Sequence, residues 1–170
     1  MTESVDRMRS EAKRIREACL LAAERQYAAE TPWYHWNYWL GIPSTILAAI
    51  AGAAAFSRLT NSEFVAGGIA IVVAILSALT TFLDPNKRAS THHTAAKAYE
   101  TLYHSAGFFY RFESLNDLGD PKDLEKTLSA LQAMFLELNK NSVAISGNAY
   151  KVAARKIAGN NGEVVRDPGE

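Results

Sequence analysis

WLGIPSTILAAIAGAAAF (Trp39–Phe56) and FVAGGIAIVVAILSALTTFL (Phe64–Leu83) decide how this chain is read. Neither stretch holds an Asp, Glu, Lys or Arg, and only SRLTNSE (Ser57–Glu63) separates them. A helix rises about 1.5 Å per residue, so roughly 20 residues cross a hydrocarbon core about 30 Å thick. The second stretch has that length. The first reaches it with the aromatic run before it, which gives spans of about residues 36–56 and 64–83. The expectation is an all-α membrane protein: a two-helix transmembrane hairpin (residues 33–83) with a cytoplasmic helical bundle.

The flanks are polar and balanced. Lys plus Arg number 18 and Asp plus Glu number 18, so the formal net charge is zero. Phosphate binding needs clustered excess cations, so nucleic acid is not an expected partner. Cys19 is the single cysteine, which excludes an intrachain disulfide and a cysteine cluster for zinc. It reads as a small apolar residue on a helix face. The first 38 residues are charged and helical in pattern, so a secretory signal peptide is not expected.

Residues 3–30 read as one amphipathic helix. Val5, Met8, Ala12, Ile15, Cys19 and Ala22 alternate spacings of three and four, the a/d seam of a heptad. Arg7, Arg9, Lys13, Arg14, Arg16 and Arg25 interleave with Glu3, Asp6, Glu11, Glu17, Glu24 and Glu30. Mixed signs of this kind read as a solvated face with i,i+4 pairs. The sharper alternative places the cations near anionic headgroups or at a pore vestibule. Thr31-Pro32 reads as an N-cap and first position, hence a new helix start. The run WYHWNYW comes next, and Trp33, Trp36, Tyr38 and Trp39 are the candidate membrane-interface residues, since their rings are apolar while N–H or O–H groups still seek a partner.

The first span carries Pro43, expected to kink it, and an Ala/Gly-rich centre that includes Gly52. In the second, Ala66, Ala70, Ala74 and Ala78 repeat every four residues. Small residues let membrane helices approach closely, so Gly52, Ala66 and Ala78 are candidate helix-packing positions, against the other span or a neighbouring copy, with Val73 expected to face lipid. Ser77, Thr80 and Thr81 gather at one end; they either bond the i−4 carbonyl or face water in a pore mouth. Ser77, Thr80, Thr81, Ala70 and Ala74 are therefore the pore-lining candidates, with the Ala/Gly face of the first span as the rival lining. No ionisable acid or base lies within either span, which argues against proton coupling and charge sensing. Lys and Arg are denser on the outer flanks than in the short loop, so both termini are expected in the cytoplasm.

Asp84-Pro85 repeats the cap-and-start device, and a helix is expected from Asn86 to about Phe112 within a cytoplasmic helical region, residues 85–158. Ala89, Ala96, Tyr99, Tyr103, Ala106 and Tyr110 form a core stripe; His92, His93 and His104 have no single-metal spacing. Asn116–Asp120 reads as a turn. Leu124, Leu128, Leu131, Phe135 and Leu138 form a second seam, and a short basic helix is expected over Asn148–Ala158. Residues 159–170 read as a disordered tail. No phosphate loop, nucleophile elbow or paired-carboxylate cleft is visible, so neither a cofactor nor enzymatic activity is expected.

The hairpin, the charged helix before it and FLDPNKRASTHHTAAKAYETLYHS (Phe82–Ser105) after it resemble the SLATT domain family, bacterial two-transmembrane effectors associated with nucleotide-second-messenger synthases and SLOG sensor domains. The resemblance spans roughly residues 10–158. It implies an antiviral (abortive-infection) effector in the inner membrane: a membrane pore opened by a neighbouring sensor protein or a nucleotide signal. Two spans per chain call for a homo-oligomer, with a tetramer the preferred size. It supplies no catalytic residues. The alternatives are a non-conducting membrane-anchored scaffold and a soluble bundle that buries the hairpin.

Overall fold

A computed structural model of the chain describes residues 2–56, 62–113 and 121–159, and among these every regular element is helical. The helices are α1 (Thr2–Ala55), α2 (Ser62–Leu83), α3 (Pro85–Phe108, continued by a π-turn over Phe109–Glu113), α4 (Pro121–Asn141) and α5 (Gly147–Gly159). The expected turn at Asn116–Asp120, most of the Ser57–Glu63 loop and the tail from residue 160 lie outside the described residues.

The helix start expected at Thr31-Pro32 is not there. α1 runs unbroken through Pro32 and Pro43. Each proline removes one N–H and leaves one carbonyl of the preceding turn without its usual donor. Strong helix formers precede Pro32 (Ala28, Ala29 and Glu30) and follow Pro43 (Leu47 and Ala48), flanking the stretch that the helix crosses. His35 Nδ1 lies 2.9 Å from Thr31 O, and Thr45 Oγ1 donates to Gly41 O at 2.9 Å, so side chains add contacts beside both prolines. Thr31 and Pro32 are a cap-and-start pair by composition only.

Asp84 does break the chain. Its φ of +40° is the single left-handed non-glycine among the described residues. Its N–H still donates to Thr80 O (3.0 Å), closing α2, and its Oδ1 accepts from Lys87 N (3.2 Å), capping α3. Aspartate tolerates this conformation because its short polar side chain bonds locally. Pro85 then occupies the first position of α3, where no N–H is needed.

The chain divides into two compact units. One comprises residues 1–29 and 91–170 and is a helical bundle of the first part of α1 with most of α3, α4 and α5. Ala12, Ile15, Cys19, Leu20, Leu102, Tyr103, Ala106, Phe109, Leu124 and Leu131 are its buried core, with Leu128, Phe135 and Leu138 packed partly against it. The two seams expected from the sequence thus meet here, and the α3 stripe joins them. The α1 seam shifts by one position, however: after Cys19 and Leu20 the next buried residue is Ala23, with Ala22 half-exposed. The displacement is local: over Ala12, Ile15, Cys19, Ala23 and Gln26 the spacing still averages the 3.5 residues of a heptad, and Gln26 returns to the seam.

The other unit is residues 30–90, the two apolar helices and the first turns of α3. Both apolar helices are long enough and apolar enough to cross a membrane, and none of the most apolar window of α2 is buried. Each loses exposure mainly along one narrow stripe, Gly41 and Pro43 of α1 apart. On α1 it is Trp33, Asn37, Leu40, Ser44, Leu47, Ala51 and Ala54; on α2 it is Ala66, Ile69, Val73, Leu76, Thr80 and Leu83. Both alternate spacings of four and three, the seam by which two antiparallel helices pair.

Candidate functional site

The exposed remainder of this hairpin has two unlike sides. Each residue advances about 100° around a helix. On α1, Gly41, Thr45, Ala48 and Gly52 lie about 60–120° round from the paired stripe. On α2, Gly67, Ala70, Ala74, Ser77, Ala78 and Thr81 lie about 70–170° round in the same rotational sense. The two helices run in opposite directions, so this shared sense brings both sets to one side of the hairpin. Apart from half-buried Gly41, all ten are exposed. The opposite side carries Trp36, Trp39, Ile42, Ile46 and Ile50 from α1 and Ile71, Val72, Ile75, Leu79 and Phe82 from α2, all exposed. Trp39 keeps 73% of its surface and Phe82 85%.

This geometry corrects one assignment, that of Val73, and shows where the small residues and the hydroxyls lie. Val73 does not face outward; it is half-buried on the paired stripe. Of the alanine ridge only Ala66 lies on that stripe, whereas Ala70, Ala74 and Ala78 face away from it, as does Gly52. A Cβ built on Gly52 or Gly67 would meet nothing within 4 Å, so their lack of a side chain serves no close approach inside this chain. A four-residue repeat drifts off a 3.5-residue seam, which is why the ridge leaves it after one position. Finally, the hydroxyls separate. Thr80 is half-buried on the stripe, while Ser77 and Thr81 share the small-residue side with Ala70 and Ala74. Thr80 Oγ1 donates to Leu76 O and Thr81 Oγ1 to Ser77 O, both at 2.9 Å, so both threonines bond the i−4 carbonyl.

Beside Gly41 a shallow depression of about 380 Å³ is lined by Asn37, Tyr38, Gly41, Ile42, Thr45 and Ile46, with no acid or base among them. Of the interface aromatics, Trp33 is half-buried, while Trp36, Tyr38 and Trp39 are exposed. Arg88 sits with its guanidinium carbon 4.9 Å from the centre of the Trp33 ring.

In the bundle, four consecutive α1 residues, Glu24 to Tyr27, each make a long-range polar contact. Lys156 Nζ lies 3.2 Å from buried Glu24 Oε2, a charge contact off the line of a hydrogen bond. The Arg25 guanidinium stacks 4.1 Å from the Tyr150 ring centre. Gln26, fully buried, donates from Nε2 to Ser142 Oγ (2.6 Å) and toward Val143 O (3.4 Å); its Oε1 lies 2.7 Å from Nδ1 of buried His92, which sets the Nδ1–H tautomer. Tyr27 Oη donates to Glu100 Oε2 (2.9 Å), and its ring meets His93 edge-on. Burial raises the Tyr99 phenol above its ordinary value, a rise that Ser142 opposes, and Tyr99 Oη donates to Asn139 Oδ1 (2.9 Å).

The reading of Glu24 and Glu30 as part of a solvated face is therefore wrong: both are buried. Lys13–Glu17 does form an exposed i,i+4 pair of the kind expected, and Arg14 pairs with half-buried Glu11 at i,i+3. The signal for the buried set was present in the sequence, since Gln26 and Glu30 continue the register Cys19, Ala23. No group of three metal-ligating side chains occurs among the described residues. The contacts pin α5 and its connector to α1; nothing in them is arranged around a reacting atom. Comparison with protein-family models, curated proteins and solved structures finds no match to this chain.

Proposed function

We propose that this chain is a membrane-spanning hairpin protein that assembles with copies of itself into a pore. The observation that carries the reading is the two-sided hairpin: one side mostly small and hydroxyl-bearing, contributed by both helices, with Tyr38 at its α1 end, the other bulky and apolar. Left in water, the exposed Trp, Ile, Val, Leu and Phe side chains would form an apolar surface far beyond what soluble monomers carry. In lipid the bulky side meets acyl chains at no cost. The small side gives lipid little to pack on, yet lets backbones of other copies approach, which is how membrane helices associate.

Two spans cannot enclose water, so several copies must close a ring, for which cyclic symmetry suffices and a tetramer is our preferred size. The small side then turns to the axis. Its Ala and Gly positions form a narrow apolar constriction that gates by dewetting, and Thr45, Ser77 and Thr81 supply the polar lining. The distribution of Lys and Arg supports both termini in the cytoplasm, and the SLATT resemblance implies the inner membrane. The SLATT resemblance supports a bacterial antiviral effector whose release dissipates ion gradients and stops the infected cell, triggered by a neighbouring sensor or a nucleotide.

Purified full-length protein in dye-loaded liposomes tests this. The expected result is dye release together with a detergent-solubilised mass several times the 18.6 kDa chain. Oligomers that insert but release no dye, even on expression in depolarisation-sensitive cells, favour the non-conducting anchored scaffold.

A further inference from the structure

Arg88 is held in a way its sequence position does not require. Its Nε donates to Leu83 O at 2.8 Å, covering one of the carbonyls left open where α2 ends. Its guanidinium lies against the Trp33 ring. The side chain is exposed, and no carboxylate among the described residues pairs with it. The Asp84 carboxylate, on the same corner, is engaged by Lys87 N. A backbone carbonyl and an aromatic ring therefore fix the base of the guanidinium, while its terminal NH2 groups keep their donors. Lys87 is exposed next to it.

In a bilayer, a cation at the end of an apolar helix, braced by an indole and without a carboxylate partner among the described residues, sits at the depth of the headgroup anions. A guanidinium presents parallel donors that match phosphate oxygens, and a pre-positioned one loses less rotamer freedom on binding. We propose that Arg88, braced by Trp33 and Leu83 O, binds the phosphate of an anionic phospholipid headgroup. This rests on the chain being a membrane protein, because only in a bilayer is that phosphate held at the level of the Trp ring. Arg88 thereby fixes the depth of the α2–α3 corner in the leaflet, and the protein prefers membranes that carry acidic lipid.

The test uses the full chain in detergent, titrated with phosphatidylglycerol or phosphatidylcholine and read by native mass spectrometry. The wild type is expected to retain phosphatidylglycerol about fivefold better than phosphatidylcholine, the scale of one interfacial cation. R88Q should abolish that preference, R88K should keep part of it, and W33L, which retains every charge, should reduce it. Equal retention by wild type and R88Q overturns the proposal. Should R88Q fail to fold, W33L and R88K decide: a preference unchanged in both overturns it. Displacement of the lipid by inorganic phosphate would reassign the site to a soluble anion and overturn the lipid assignment; resistance to displacement supports it. Flotation with pure phosphatidylcholine vesicles separates the two levels. A chain that floats but shows no headgroup preference sinks the Arg88 site alone, whereas one that does not float sinks the membrane reading with it.

Discussion

Cys19 shows how far a single residue is legible. Its place in the spacing Ala12, Ile15, Cys19 reads as a small apolar side chain, and it is fully buried as a free thiol. Burial pushes its pKa up to about 12 from an ordinary 9.0, because the thiolate loses its water. The native state therefore holds its proton where the unfolded chain has released it. Between about pH 9 and about 12 the unfolded state binds fewer protons, so stability falls as pH rises through that window and is fully present below it. Maleimide labelling near neutral pH is expected to be slow in the folded protein and fast in denaturant. Equal rates would place the thiol at the surface. Gln26 marks the limit of such reading. Its partners His92, Ser142 and Val143 are 66 to 117 residues away, and a local pattern contains no term for them. Only its register with Cys19 and Ala23 hinted that a polar side chain was going inside.

At the scale of an element, Asp84 and Thr31 carry the same sequence signal, a capping residue before proline, and fold differently. The difference lies in the neighbouring residues on either side. Asp84 ends a 22-residue apolar helix and starts a polar one, with Lys87 N three residues on to donate to its carboxylate. Thr31 follows the helix formers Ala28, Ala29 and Glu30, and its backbone shows no left-handed turn of the kind that breaks the chain at Asp84. The strain at Asp84 gives a graded prediction. Asp84→Asn keeps the cap and tolerates positive φ, so its melting temperature in detergent should match the wild type. Asp84→Gly relieves φ but loses the cap, and Asp84→Leu loses the cap and adds the left-handed penalty, about 2 kcal/mol in all. Thermal unfolding should rank Asn above Gly above Leu. A leucine variant as stable as the wild type would mean that the corner does not hold this conformation.

For the whole molecule, the existence of the apolar pair was legible because hydropathy and length are local properties, and so was the pairing of seams in the bundle. Which side of the hairpin meets what was not. A repeat of alanines says that something approaches closely, but its partner is set by helix rotation, which a one-residue shift in register changes by about 100°. With the rotation known, the mutational contrast changes. Ala74 and Ile75 are neighbours on α2 that face the small and the bulky side. Ala74→Leu should prevent copies from closing on one another, lowering the mass of the solubilised particle and abolishing dye release. Ile75→Phe adds comparable bulk toward lipid and should leave both unchanged. Val73→Leu, on the paired stripe, should instead lower the melting temperature by overpacking the hairpin while the hairpin's outer sides keep their chemistry. Light scattering of the three variants beside their melting curves separates the cases. If Ala74→Leu and Ile75→Phe give the same particle mass, the small-residue side is not where the copies meet, and the proposed ring loses the surface that builds it.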